Sequence, residues 1–174
     1  MRGPGEFVAD DLASALDPVR LAVRAGITPD SWQADLLRIA QRDVLMLCSR
    51  QSGKSTVAAL LAVHAALYRA PALVLMVAPA LRQAQELYRV ARGFYRALGT
   101  ETVSEIEEES ALRLELANGS RIISLPGSEA TVRSYARVAL LIIDEAARVS
   151  DELYAALRPM LAVGGGRLVL LSTP

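Results

Sequence analysis

Short apolar runs of strand length alternate with helix-favouring segments over most of the chain. The runs lie at 44–48, 73–78, 138–143 and 167–172. Strands that alternate with helices are typical of a parallel sheet with helical crossover connections. The pattern therefore predicts an α/β fold from about Val44 onward, with a central, mostly parallel sheet flanked by helices.

A hairpin is predicted between the second and third runs. The segments ALRLEL (111–116) and RIISL (121–125) flank the tetrapeptide Ala117-Asn118-Gly119-Ser120. Asn-Gly is a strong hairpin signal because both residues tolerate a positive φ. The acidic run just before it, at 105–109, is interpreted as a solvated surface loop.

The amino-terminal part has helical periodicity instead. Apolar residues recur at helical spacing at Leu12, Leu16, Val19 and Val23. This spacing predicts one amphipathic helix up to about Gly26. The segment 28–30 (Thr-Pro-Asp) then interrupts the helical pattern, and a second short helix that contains Trp32 is predicted after it. We assign residues 1–28 to a helical segment and 29–174 to the main domain.

Composition limits the class of protein. The chain has 174 residues, which is the usual size of one domain, and its formal net charge is zero. No bulk electrostatic attraction to nucleic acid or membrane follows from that charge. A single cysteine excludes an internal disulfide, and no apolar stretch reaches the roughly 20 residues of a membrane span.

Arginine supplies 18 of the 19 basic residues, and the one lysine lies in LCSRQSGKST (47–56). Against the phosphate-loop pattern G-x-x-x-x-G-K-[ST], Gly53, Lys54 and Ser55 match, whereas Cys48 stands at the first glycine position. An apolar run precedes the loop and a helix-favouring run follows it. This order places backbone N–H groups and the positive helix end around a phosphate chain.

The loop therefore predicts a nucleotide site. Its binding residues are expected to be Ser49, Arg50, Gln51, Ser52, Gly53, Lys54, Ser55 and Thr56. Lys54 can reach the β and γ phosphates, and the Ser55 hydroxyl can bind Mg²⁺.

A second motif is VALLIIDEAARV (138–149). Six apolar residues lead into Asp144 and Glu145, which puts two carboxylates at the carboxyl end of a buried parallel strand, where open α/β sheets bind ligands. Asp144 is expected to hold Mg²⁺, and Glu145 to orient or deprotonate the attacking water. The pair predicts hydrolysis of the bound nucleotide in addition to binding.

Three segments together, LCSRQSGKST, LLIIDEAARV and the closing LLSTP, resemble the ATPase domain of the large terminase subunit, the viral DNA-packaging motor. In that family the first loop glycine is commonly replaced and an arginine lies within the loop, as Arg50 does. The resemblance covers about Pro29 to Pro174. It implies a P-loop NTPase fold of the additional-strand, helicase-like type.

The resemblance also implies roles for individual residues. Gln33 would read adenine; the alternative is a solvated helix glutamine beside a core tryptophan. Arg50 would contact the γ-phosphate within its own subunit, or else form a surface salt bridge. Arg133 would be the arginine finger offered to a neighbouring subunit, with Arg137 as the competing candidate and a plain surface arginine as the alternative. Coupling residues would be Ser172 and Thr173.

For function, the resemblance implies a hydrolase with ATP and Mg²⁺ that drives double-stranded DNA into a procapsid in the host cytoplasm. Implied partners are the portal, the small terminase subunit and further copies of the chain in a ring. Family members continue into a nuclease domain, so the domain is expected to end early, at the coupling motif, with no nuclease site. A helicase-type DNA translocase and a nucleotide-binding fragment without turnover are the alternatives.

Overall fold

The computed structural model of the protein describes residues 4–99, 104–127 and 135–174. Its strands are β1 (Asp43–Leu47), β2 (Leu73–Ala78), β3 (Ile106–Glu109), β4 (Arg113–Leu116), β5 (Arg121–Pro126), β6 (Val138–Ile143) and β7 (Arg167–Ser172). Its helices are α1 (Pro4–Leu16), α2 (Pro18–Arg24), α3 (Ser31–Arg38), α4 (Lys54–Tyr68), α5 (Leu81–Ala97), α6 (Asp151–Leu157) and α7 (Pro159–Ala162), with a 3-10 helix at Ala146–Arg148.

Within the described residues the strands form a seven-stranded sheet in the order β1-β7-β6-β2-β5-β4-β3. The pairs from β1 through β7, β6 and β2 to β5 are parallel, whereas β5 with β4 and β4 with β3 are antiparallel. The mostly parallel α/β sheet is therefore confirmed, and the four predicted runs form β1, β2, β6 and β7. Strand β1 begins and ends one residue earlier than predicted.

The predicted hairpin is confirmed between β4 and β5. Gly119 has φ +81°, which a glycine adopts without a steric penalty, and its N–H donates to the Leu116 carbonyl. The loop is also tied to α4, because Asn118 Nδ2 donates to the Ala66 carbonyl at 2.9 Å.

The acidic run was wrongly predicted to be a surface loop, since it forms the edge strand β3. Two helix α5 arginines explain why this strand tolerates its charge. Arg92 and Arg96 both form ion pairs with Glu109, and Arg89 pairs with Glu86 along α5. The acidic edge therefore packs beside a basic helix face, which no local periodicity in the run could show.

The prediction of a single amino-terminal helix was also wrong, since two helices, α1 and α2, form there. Asp17 ends α1 and caps α2, because its side chain accepts a hydrogen bond from the Val19 N–H at 3.0 Å, and Pro18 begins α2 without an N–H of its own. The break changes the buried face of the segment. Leu12 and Leu16 are exposed, and Leu21 in α2 packs in the core.

Helices cover both faces of the sheet. Helices α2 to α5 pack on one face, around Val74, Met76 and Val169, and α6 and α7 pack on the other, around Leu75 and Leu141. Because α4 is almost entirely buried, its amino terminus is held firmly against the sheet. None of the helices in the described parts of the chain is long and apolar enough to cross a membrane.

Candidate nucleotide site

The strand order brings the predicted motifs to one edge of the sheet. Strand β7 lies between β1 and β6, and all three run parallel. Parallel strands end at the same edge. The phosphate loop after β1, the carboxylates after β6 and the residues Ser172 and Thr173 at the end of β7 therefore meet there, although over one hundred residues separate the first from the last.

The phosphate loop turns directly into the buried helix α4. Gly53 has φ +86°, and Lys54 is the first helical residue. Lys54 is only 8% exposed, and its Nζ donates to the Cys48 carbonyl at 3.2 Å. The ammonium group thus lies folded over its own loop, held by a backbone oxygen at the position where the sequence pattern usually has glycine.

The loop lines a cavity of about 530 Å³. Residues 50–56 line it together with Asp144 and Glu145. A cavity of this size is in the range of small-molecule sites. Within the described residues the Ser52 hydroxyl is buried and has no hydrogen-bond partner, so the loop keeps an unused polar group. Ser49 is exposed and is not among the lining residues.

The two carboxylates have different environments. Asp144 accepts a hydrogen bond from the Glu145 N–H at 3.0 Å. Burial raises the pKa of Asp144, and the negative charge of Glu145 adds to the rise, while the Glu145 N–H and Lys54 partly oppose it. The pocket therefore favours a positive charge beside Asp144.

Glu145 is held in an unusual conformation. Its backbone is left-handed, with φ +49°, which is uncommon for a residue with a side chain and is typical of functional sites. The hydroxyl of Thr173 donates to Glu145 Oε2 at 2.9 Å. The predicted coupling residue is therefore in direct contact with the predicted catalytic carboxylate. Ser172 does not make that contact, since its hydroxyl donates weakly to the Thr173 carbonyl at 3.3 Å.

Gln33 lies behind the phosphate loop. Its Oε1 accepts the Asp30 N–H at 2.9 Å, and its Nε2 donates to the Ser52 carbonyl at 3.3 Å. A Cβ at Gly53 would lie 2.5 Å from Gln33 Nε2, so any other residue there would displace the Gln33 amide. Gln33 is buried, in contrast to the solvated alternative, and its amide joins α3 to the loop.

Two further residues line the cavity, and sequence reasoning missed both. Arg148 lies on the 3-10 helix, one turn after Glu145, and Gln83 lies in the first turn of α5. A sequence signal existed for Arg148, which follows the Asp-Glu pair within one helical turn. Gln83 reaches the cavity because α5 follows β2 and β2 neighbours β6, a strand order that only the structure shows.

The structure describes only one of the two arginine-finger candidates. Arg133 lies outside the described residues. Arg137, with φ +57°, lines a different cavity together with Tyr135 and Met160. Arg50, by contrast, is exposed and lines the nucleotide cavity.

Comparison with known proteins agrees with this geometry. A family model described as terminase large subunit, T4likevirus-type, N-terminal, matches residues 45–174. A search of curated protein sequences found no match. The ATPase domain of the Thermus phage P74-26 large terminase has a similar structure, with a TM-score of 0.76 and 25% identity over 88% of this chain and 68% of that chain.

Two whole large terminases share the fold at lower identity. The HK97 bacteriophage large terminase has a TM-score of 0.68 and 15% identity, over 84% of this chain and 33% of that chain. The large terminase of a thermophilic bacteriophage, in complex with ADP, has a TM-score of 0.57 and 13% identity, over 94% of this chain and 38% of that one. The family match spans most of the chain and includes both motifs. The chain therefore belongs to the large terminase subunit family.

Proposed function

We propose that this cavity hydrolyses ATP and that the hydrolysis powers the movement of double-stranded DNA into a viral procapsid. The observation that carries the proposal is that Lys54, Asp144 and Glu145 face one cavity while Thr173 binds Glu145. A phosphate loop alone would support binding, whereas a positioned carboxylate supports hydrolysis.

The residues present fit a nucleotide with Mg²⁺. The loop offers the buried, unpartnered Ser52 hydroxyl and the Lys54 ammonium, whose only described bond is to a carbonyl. Ser55 and Asp144 are oxygen donors, which Mg²⁺ prefers. When bound, Mg²⁺ would neutralise charge on the β and γ phosphate oxygens. The raised pKa of Asp144 fits a carboxylate built to face a cation.

Glu145 is assigned as the base that orients and deprotonates the attacking water. The Thr173 hydroxyl holds one of its carboxylate oxygens, which leaves the other available to accept a proton. Because Thr173 continues from β7, a change at the γ-phosphate that moves Glu145 also changes a hydrogen bond to the end of that strand. We assign Thr173, with Ser172 beside it, to coupling.

The arginines are assigned to charge stabilisation. Arg50 and Arg148 both line the cavity, so both are suited to contact the phosphates within one subunit. Arg133 remains the proposed finger for a neighbouring active site, which requires a ring of subunits. Gln33 is proposed to pair with adenine; its amide would have to release Asp30 or Ser52 to do so.

Partners and location follow from the family. Double-stranded DNA, the portal, the small terminase subunit and other copies of the chain are proposed partners, in the host cytoplasm at the procapsid. The P74-26 relative is named an ATPase domain, and a further relative was solved with ATP-γ-S, which supports ATP as the nucleotide. The family match favours packaging over a helicase-type translocase.

The experiment is ATP turnover per subunit across a range of protein concentrations, with Glu145→Gln as the control. Turnover that rises with concentration and is lost in the control supports a site completed by a neighbour, and Arg133→Ala should then remove the rise. If Mg-ATP binds and Lys54→Ala abolishes binding, yet no concentration gives turnover, the chain binds nucleotide without hydrolysing it and the proposal fails.

A further inference from the structure

A second cavity lies at the opposite edge of the sheet from the nucleotide site. Its volume is about 410 Å³, and its lining includes Arg167, Arg69, His64, Leu61 and Leu140. Arg167 begins β7 and Ser172 ends it, so the length of that strand, about 17 Å, separates Arg167 from the edge of the sheet that carries the nucleotide site. Nothing in the proposed ATPase mechanism uses this cavity.

Arg167 is a charged residue in a core position. Side chains alternate between the faces of a strand, so Arg167 shares its face with Val169 and Leu171, which are fully buried. Arg167 itself is only 8% exposed. Its Nε and Nη2 atoms are buried and have no hydrogen-bond partner among the described residues. An unpaired buried cation of this kind is costly, so such groups normally have a partner.

Neighbouring acids do not supply that partner. Asp17 also lines the cavity, but both of its oxygens accept hydrogen bonds from Arg38, at 3.1 and 2.7 Å. Asp11, close by, is bound by Arg24 and by the Tyr68 hydroxyl. Each of these carboxylates is therefore already neutralised by a group other than Arg167.

The surroundings of Arg167 add positive charge. Burial lowers the pKa of its guanidinium, and the nearby charge of Arg69 lowers it further. His64 contributes no compensating negative charge, and burial lowers its pKa, which favours the neutral ring. The cavity thus has three arginines, a neutral imidazole and apolar walls, and its one carboxylate, Asp17, is already paired with one of them, Arg38.

We propose that this cavity binds an oxyanion, a phosphate or a carboxylate, carried on a small or partly apolar molecule. The guanidinium of Arg167 binds the anion at the base of the cavity, and Arg69 binds it at the exposed mouth. Leu61 and Leu140 contact the apolar part. A DNA duplex is not the ligand, because its phosphates lie on a rigid, wide helix and cannot reach a guanidinium that is only 8% exposed.

His64 provides a local probe of this site, since it is the only histidine in the chain and lies in the cavity. The experiment follows its ring proton by NMR while inorganic phosphate or acetate is added at constant pH and ionic strength. Phosphate is also expected to bind the phosphate loop. The titration is therefore repeated in Lys54→Ala, where a response from the second cavity must persist.

The expected result is a saturable shift of the His64 resonance with at least one of the two anions. Phosphate alone, or acetate alone, identifies the preferred oxyanion. Arg167→Met should weaken binding about tenfold or more, because it removes a charge-assisted hydrogen bond from a buried site. Arg69→Gln, on the exposed rim, should weaken it about threefold. The control Arg82→Gln removes an exposed charge on α5 and should leave the affinity unchanged.

Two results would overturn the proposal. One is a His64 resonance that moves with neither anion. The other is a shift that keeps its wild-type affinity in Arg167→Met, or in Arg69→Gln where Arg167→Met does not fold. Because Arg69 is exposed, that second variant keeps the core intact and allows a decision in either case.

Discussion

The two edges of the sheet treat buried positive charge in opposite ways. At the carboxyl edge, Lys54 is 8% exposed and binds the Cys48 carbonyl, with Asp144 and Glu145 lining the same cavity. At the amino edge, Arg167 is equally buried, yet two of its nitrogens lack a partner among the described residues. The cavity of Lys54 has two acids, whereas the one acid in the cavity of Arg167, Asp17, is already paired with Arg38.

This difference indicates which charged groups at each edge are available to bind a ligand. At the nucleotide edge, Lys54 and Glu145 form hydrogen bonds within the protein, with the Cys48 carbonyl and the Thr173 hydroxyl, and the backbone of Glu145 is left-handed. At the opposite edge, two nitrogens of Arg167 have no hydrogen-bond partner among the described residues. A ligand that binds a group with an internal partner must first break that hydrogen bond. An unpaired buried cation has no such bond to break, so it favours the binding of an anion.

The largest expected effect is the loss of ATP turnover at the nucleotide edge. Glu145→Gln should lower kcat by about 10²- to 10⁴-fold, because the amide cannot accept the proton from water. ATP turnover measures the effect. Glu152→Gln, an exposed position on α6, is the matched control and should keep wild-type turnover. Comparable rates for Glu145→Gln and wild type would remove Glu145 from catalysis.

At the opposite edge, Arg167→Met should stabilise the protein. In buffer without oxyanions, removal of an unpaired buried charge should raise the free energy of unfolding by about 1 to 3 kcal/mol. Urea denaturation measures it, and Arg82→Met should change stability by less than about 0.5 kcal/mol. A loss of stability in Arg167→Met would mean that the guanidinium already has a partner, and the contrast between the edges would fail.

A smaller effect is expected when the hydrogen bond from Thr173, just after β7, to Glu145 is removed. Thr173→Val keeps the shape but removes the donor to Glu145 Oε2, so kcat should fall about tenfold while KM stays nearly constant. Thr173→Ser restores a hydroxyl and should recover most of the rate. A change in KM alone would show that Thr173 acts in binding and does not position Glu145.

The smallest effect is a pH dependence at Asp144. Its pKa is raised by burial, so the protonated form is the one the fold favours. Protonated Asp144 therefore contributes to the free energy of unfolding. This contribution is fully present below the pKa of an unfolded aspartate, about 3.9, and is lost as the pH rises through the higher pKa that Asp144 has in the folded protein. Without Mg²⁺, Asp144→Asn should therefore gain stability over wild type as the pH rises. Unfolding curves over a pH series measure this, and a gain that shrinks with rising pH would contradict it.

Much of the fold could be predicted because its signals are local. The buried strands have continuous apolar runs, the β4–β5 turn has Asn118-Gly119, and the phosphate loop and Asp144-Glu145 follow their strands directly. The errors also have local causes. The helix prediction ignored Pro18, and the charge of the acidic run concealed β3, whose Glu109 is neutralised by residues of α5.

The sequence by itself determined the chemistry available, namely a lysine-bearing phosphate loop, a carboxylate pair and a hydroxyl after the last strand. Only the tertiary structure decided which groups touch. The insertion of β7 between β1 and β6 puts Thr173 on Glu145, and residues of α3, α4 and β6 line the cavity around Arg167. Strand order and helix packing are non-local, because residues far apart in the chain become neighbours only when the core assembles. The local periodicity of the sequence does not show which distant segments will pack together.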